Sequence, residues 1–331
     1  MYKRQIQGHA IEARICAENP DNNFLPATGT LQVYGQPAHR SFERAPQGVR
    51  VDAGVRQGDT ISPFYDSMVA KLIVHGATRA EALARLDAAL AQTHIVGLAT
   101  NVQFLRHVTT SAAFAKAELD TALIPREAAA LFQQDKVGLP LAAAALVAHT
   151  LQAEQAQGAV ADVSGWRDPW AQRDGWRSHG LSVRSFALEY AGAPHTVLLH
   201  AQRGSLTLGV GGDTLPLAWA ANAGGALDVQ LGSQRVLAHV YRNGDVAHVF
   251  TAQGATQIVA VDVLAHAGDT QTEGGRLTAP MPGKVVSFAV KAGDVVKKGQ
   301  ALAVMEAMKM EHTIAAPALS LIHISEPTRL G

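Results

Sequence analysis

Between residues 181 and 263 the chain divides into short runs rich in Val, Leu, Thr, Phe and Tyr, with Gly192, Gly204, Gly211, Gly212, Gly232 and Gly244 punctuating them. The runs cover residues 181–190, 196–201, 206–210, 226–231, 234–241, 246–251 and 257–263. Branched and aromatic side chains suit a half-buried pleated surface, and glycine supplies the turns between strands. Many short antiparallel strands at regular spacing imply a barrel or a sandwich. Asn243-Gly244 favours a type I′ turn, so residues 240–250 are expected to form a hairpin.

A different pattern precedes these strands. Residues 128–157 are alanine-rich, with Leu131, Phe132, Leu139, Leu141, Leu146, Val147 and Leu151 spread through them. Pro140 follows Gly138-Leu139, and proline is tolerated at a helix start, so a helix is expected over 139–157. It is about 28 Å long if fully helical. Its alanines let other structure approach on most sides; the alternative reading is a flexible Ala/Gln linker. Residues 158–174, with Trp166, Pro169 and Trp170, read as a loop.

Toward the amino end, residues 8–20 open with strict alternation, placing Ile11, Ala13 and Ile15 on one face of a strand and Glu12, Arg14 and Cys16 on the other. An isolated Glu-x-Arg is usually a solvated ion pair, but it also fixes a cation beside a carboxylate. Residues 21–29 form a turn-rich loop, and residues 49–52 and 71–76 read as further strands. Thr78 and Glu81 make a capping box, and Leu83, Leu86 and Leu90 give the helix after it an apolar stripe. Asn101 is expected to cap another helix, with Phe104, Leu105 and Val108 facing inward. This part is therefore α+β. His75, His94 and His107 have no metal-ligand spacing, so no metal site is expected.

At the carboxyl end stands Val304-Met305-Glu306-Ala307-Met308-Lys309-Met310-Glu311-His312. Upstream lie Pro280-Met281-Pro282-Gly283 and two short runs that close at Gly293 and Gly299. The segment reads as short strands and tight turns, with residues 301–305 and 311–314 as hairpin arms and Lys309 at the tip. An amine so placed is unhindered and open to acylation, although most lone lysines are ordinary surface residues.

The chain has 331 residues, room for two or three domains. Its 28 basic and 28 acidic residues balance, so no excess charge favours nucleic acid or an anionic membrane. Cys16 is the single cysteine, which rules out an internal disulfide and fits a reducing compartment. No apolar run reaches the roughly 18 residues a membrane helix needs, and no hydrophobic stretch follows residues 1–5 to make a secretory signal. A soluble cytoplasmic protein is expected, or one of the mitochondrial matrix if the host is eukaryotic.

Three stretches together carry a resemblance. Ala307-Met308-Lys309-Met310, with Ala279-Pro280-Met281-Pro282-Gly283, resembles the biotinyl domain of biotin-dependent carboxylases; lipoyl carriers share that fold but place Asp-Lys-Ala around their lysine. Residues 8–20 and 24–29, with Tyr65-Asp66-Ser67-Met68, resemble the carboxyl-terminal subdomain of biotin carboxylase. The helix followed by strands resembles the subunit-docking region of acyl-CoA carboxylase α subunits. Pro169-Trp170 and Asp174-Gly175-Trp176-Arg177 look closest to the branch acting on 3-methylcrotonyl-CoA.

The resemblance implies a multidomain chain: an α+β subdomain over 6–127, a central helix with an antiparallel β-barrel over 128–265, and a truncated all-β biotinyl domain over 275–318. It implies biotin attached to Lys309, with Met308 and Met310 beside it, and Arg14 as the cation that steadies developing negative charge. Glu12 and Asp66 are the carboxylates expected to orient that cation. The parent enzyme would carboxylate biotin with ATP, Mg²⁺ and bicarbonate, then pass CO₂ to a carboxyltransferase β subunit in a hetero-oligomer. Biotin protein ligase is the other implied partner. The expected acyl substrate is 3-methylcrotonyl-CoA, with geranyl-CoA and propionyl-CoA as rivals; the remaining alternative is a biotin or lipoyl carrier and docking protein without catalysis. No glycine-rich ATP loop precedes Gly8, so these residues alone are expected to be inactive. Residues 1–5 and 319–331 depart from the family pattern and are read as non-native ends.

Overall fold

The computed structural model describes residues 7–43, 48–132, 137–158, 180–202, 204–222, 224–261, 284–291, 293–297, 299–307, 310–316 and 320–321. The chain divides into two compact units, residues 1–132 with 273–331 and residues 133–272.

The first unit is built on strand β1 (His9–Cys16), whose exposure alternates as its sequence does. β1 lies at the edge of a four-stranded sheet, beside Met68–Gly76, then Val49–Ala53, then His39–Arg40. One face of the sheet is apolar: Ala13, Ile15, Val51, Leu72 and Val74 are buried with Leu86 and Leu90 of helix α1 (Arg79–Ala91). The expected capping box is present. Thr78 Oγ1 accepts from the Glu81 N–H at 3.2 Å, and Glu81 Oε2 accepts from the Ala77 N–H at 2.8 Å, one residue before the cap.

Helix α2 (Val102–Thr110) begins at Asn101, but Asn101 does not cap it: its side chain makes no hydrogen bond to the helix. That expectation is corrected because the amide is committed to β1, as described below. Phe104 of α2 packs against Phe24 and Phe132, with ring centroids 4.9 and 5.3 Å away. This cluster holds the loop after β1, where Asn23 and Phe24 adopt the left-handed φ values of 51° and 57°.

The second unit is a closed barrel of eight antiparallel strands with the helix Leu139–Gly158 packed in its core. Residues 142–148 are all buried, five alanines among them, so the helix is surrounded rather than laid on one side. Alanine makes a helix thin enough to be wrapped by strands, and it has the highest intrinsic helix preference. Seven of the eight strands fall on the expected runs. The eighth, Asp213–Ala221, went unrecognised because Pro216 reads as a strand breaker and Leu217 is its single fully buried residue. Pro216 is tolerated because it lacks only a donor; its carbonyl accepts from the Gly232 N–H at 2.8 Å. The expected Asn-Gly turn is displaced by one residue. Asn243 pairs with Val246, so the turn residues are Gly244 and Asp245, with positive φ at Gly244 alone. A two-residue hairpin of that kind needs glycine at its first position.

The carboxyl-terminal segment forms a three-stranded sheet of Lys284–Phe288, Ala301–Ala307 and Met310–Ala315. Val295–Val296 pairs with Ser320–Leu321, so two residues of the supposed non-native tail take part in a strand pair. Val290, Val296, Leu302 and Ala316 form its small core.

Candidate functional site

The apolar face of the β1 sheet needs its alternate residues outside, and these gather charge. Glu12 and Arg14 of β1 share the outer face with Lys71 on the neighbouring strand and with Arg50 and Asp52 on the next. The ladder pairs Arg14 with Lys71 and Lys71 with Asp52. Directly paired residues of an antiparallel sheet project to the same side, with Cβ atoms about 4.5–5.5 Å apart.

Two of these charges are satisfied locally. Arg50 Nε donates to both carboxylate oxygens of Asp52 at 2.9 Å, and Nη2 donates to Oδ2 at 2.6 Å. That hydrogen-bonded pairing holds the Asp52 carboxyl below its usual range, helped by the Phe42 N–H and the charge of Lys71. Arg14 is different. Its side chain is 67% exposed, and its ion pair is a loose one to Glu12, Nε to Oε1 at 3.4 Å. A pair this open contributes little to stability, so the guanidinium fork is presented outward and open to an anion.

Asp66, the second expected carboxylate partner, turns elsewhere. Its Oδ1 accepts from the Met68 N–H at 3.0 Å and shapes the turn into the Lys71 strand. Glu18 accepts from the Ser67 hydroxyl at 2.6 Å. Cys16, two residues after Arg14, is half-buried; desolvation, then the charge of Glu18, pushes its thiol up to about 11. Lys71 was missed in the sequence because its proximity to Arg14 comes from strand pairing across 57 residues, which no local pattern shows.

The expected attachment hairpin is present in its arms. The pairing runs Met305 to His312, Glu306 to Glu311 and Ala307 to Met310. Met310 is therefore the first residue of the return strand, while Met308 and Lys309 lie outside the described residues. Met305 is 1% exposed and packs with Ile314 of the hairpin and with Leu25, in the short strand Leu25–Pro26. Among the described residues, no group of three or more His, Cys, Asp or Glu side chains could hold a metal ion. Nor is any helix long and apolar enough to cross a membrane.

Comparison with known proteins places each region. Residues 12–126 match the family model of the biotin carboxylase C-terminal domain. Residues 138–263 match the BT domain of the methylcrotonyl-CoA carboxylase α subunit, and residues 275–322 match the biotin-requiring enzyme model. In this order and on this fold, the three define an α subunit of the biotin-dependent carboxylases, and the chain belongs to that family.

Within the family it is similar to the mitochondrial methylcrotonoyl-CoA carboxylase subunit alpha of Dictyostelium discoideum, 34% identical over 95% of this chain and 45% of that one. The mouse protein of the same name is 32% identical, over 94% of this chain and 44% of that one. The mitochondrial propionyl-CoA carboxylase alpha chain of mouse is 29% identical, over 98% of this chain and 45% of that one. The chain thus spans about half the length of the curated relatives it matches.

Proposed function

We propose that the protein works as the α subunit of a biotin-dependent acyl-CoA carboxylase, with Lys309 as the attachment lysine and Arg14 as the cation of the biotin-carboxylating site. The observation that carries this is the contrast on the β1 sheet. Arg50 is locked to Asp52, whereas Arg14, on the same face, keeps its guanidinium exposed and only loosely paired.

The residues present fit the cofactor. The hairpin ladder runs to Ala307 and Met310, which flank Met308-Lys309 in the sequence, and the outer sheet face offers a loosely paired guanidinium to an oxyanion. Biotin, joined to Lys309 as an amide, supplies a ureido group that takes up a carboxyl group at one site and gives it up at another. Arg14 contributes a positive charge and a fork of donors aimed at developing negative charge. Glu12 restrains the fork from one side without neutralising it at close range. Asp66 acts on Arg14 only through the turn that starts the Lys71 strand.

The reading assigns residues 6–127, 128–265 and 275–318 to the carboxylating subdomain, the docking domain and the carrier. It takes 3-methylcrotonyl-CoA as the acyl substrate, as the names of the relatives favour. A carboxyltransferase β subunit is the partner of the helix-filled barrel, and biotin protein ligase the partner of the hairpin. ATP and Mg²⁺ enter through parts of the enzyme outside these residues, so the 331 residues alone are expected to form no ADP in response to biotin.

Two experiments test this. Co-expressed with a biotin ligase, the chain should be retained on streptavidin, and Lys309→Arg should abolish retention; mass spectrometry of the Lys309 peptide separates a biotinyl from a lipoyl adduct. In an intact α subunit, Arg14→Gln should slow biotin carboxylation by about 10²–10³-fold, the usual cost of losing one oxyanion donor, and leave biotinylation unchanged. An unmodified Lys309 or an undiminished carboxylation rate overturns the corresponding half of the reading.

A further inference from the structure

An exposed arginine held by one 3.4 Å contact is not positioned by its side-chain partners. If its guanidinium is to sit reproducibly, the backbone beneath it must be fixed, and β1 is poorly placed for that. It is an edge strand, and its ladder to Met68–Gly76 shifts register between Ile15 and Cys16. An edge strand leaves a row of backbone donors and acceptors unpaired on its outer side.

Asn101 fills that row at Arg14. Its Nδ2 donates to the Arg14 carbonyl at 3.1 Å, and its Oδ1 accepts from the Cys16 N–H at 2.9 Å. Its own backbone N–H donates to the Cys16 carbonyl at 3.2 Å. One residue thus imitates a short neighbouring strand, satisfying three outward backbone groups around the register shift. Asn101 is 8% exposed, so water competes little for these bonds. It also starts α2, with the Leu105 N–H donating to its carbonyl at 2.9 Å, which ties the clamp to the packed helix.

We propose that Asn101 is the positioning residue for Arg14, acting through the main chain to fix where the guanidinium stands. The proposal rests on the reading of Arg14 given above. Asparagine suits the task because its side-chain amide carries both a donor and an acceptor, matching a carbonyl and an N–H two residues apart on one strand edge. Aspartate keeps the acceptor for Cys16 but loses the donor for Arg14.

The test is a double-mutant cycle in the intact α subunit, reading ADP formation that depends on biotin and bicarbonate. Asn101→Ala should lower kcat by about 10–10²-fold, the scale of a misplaced catalytic group, with KM for ATP unchanged. Asn101→Asp should lower it as well, and this variant serves where the alanine variant folds poorly. In an Arg14→Gln background, Asn101→Ala should cost less than about twofold more, since the group it positions is already gone. Equal losses in both backgrounds overturn the proposal and leave the role of Arg14 standing. Wild-type kcat in Arg14→Gln overturns that role and the proposal with it. In the 331-residue chain, Cys16 is the only thiol, and Asn101→Ala should raise its alkylation rate several-fold; an unchanged rate also overturns the clamp.

Discussion

Arg14 and Lys71 face each other across an antiparallel ladder, and Asp52 stands on the far side of Lys71 in the same row. With Arg50 already bound to Asp52, this row places two cations side by side on an open sheet face. Such a pair attracts an anion more strongly than either charge does alone.

Lys71 should therefore assist anion binding without replacing Arg14. Removing one partly solvated charge near an anion is worth about 1 kcal/mol, or roughly fivefold. Lys71→Gln in an intact α subunit is expected to raise KM for bicarbonate by that factor while kcat falls much less than in Arg14→Gln. Steady-state kinetics at low and high salt checks it, and the effect should shrink as salt rises.

Thr78 tests how firmly α1 backs the sheet. Thr78→Ala removes the acceptor for the Glu81 N–H and should cost about 1 kcal/mol, a fall in Tm of about 2–4 °C for the first unit. Calorimetry of the chain should show the transition of the barrel unit unmoved.

The buried helix of the barrel should reject bulk. Ala145 has no exposed surface, so Ala145→Leu inserts three heavy atoms where the surrounding strands leave no room. The expected loss is about 1–3 kcal/mol, whereas Glu154→Gln, which weakens a surface pair with Arg184, should cost under about 1 kcal/mol. Chemical denaturation of the two variants separates these outcomes.

Acid should loosen the barrel. His149 is held below its ordinary value of 6.5 by burial first and then by the charge of Arg242, while burial alone lowers His239 and His248. Each takes up a proton more readily when the chain unfolds. Their contribution to stability is present above about pH 6.5 and is lost as pH falls below it. The melting temperature of the barrel unit should therefore drop between about pH 7.5 and pH 5, and His149→Leu should flatten part of that slope. A slope unchanged by the substitution would exclude His149 from the effect.

Much of this molecule is written in local pattern. The alternation of residues 9–16 gives the buried and exposed faces of β1, Thr78 and Glu81 mark the start of α1, and the alanines of the long helix announce that it is enclosed. What the sequence hides are pairings between distant residues. Asn101 before a helical stretch reads as a cap, because nothing local reveals that Arg14 offers its carbonyl 87 residues away. Lys71 looks like any strand lysine until the ladder sets it opposite Arg14. The strand Asp213–Ala221 carries too few buried side chains to advertise itself, and it exists because Leu208 and Val229 flank it with partners.

The enclosed helix has a consequence for biosynthesis. It precedes every strand that wraps it, and the barrel closes only when Gly254–Ala260 reaches back to Ser182–Tyr190. Its alanines favour helix before any tertiary support arrives. The ribosome thus delivers a ready spindle first, and the strands emerging later have a template to wind upon instead of one another's sticky edges.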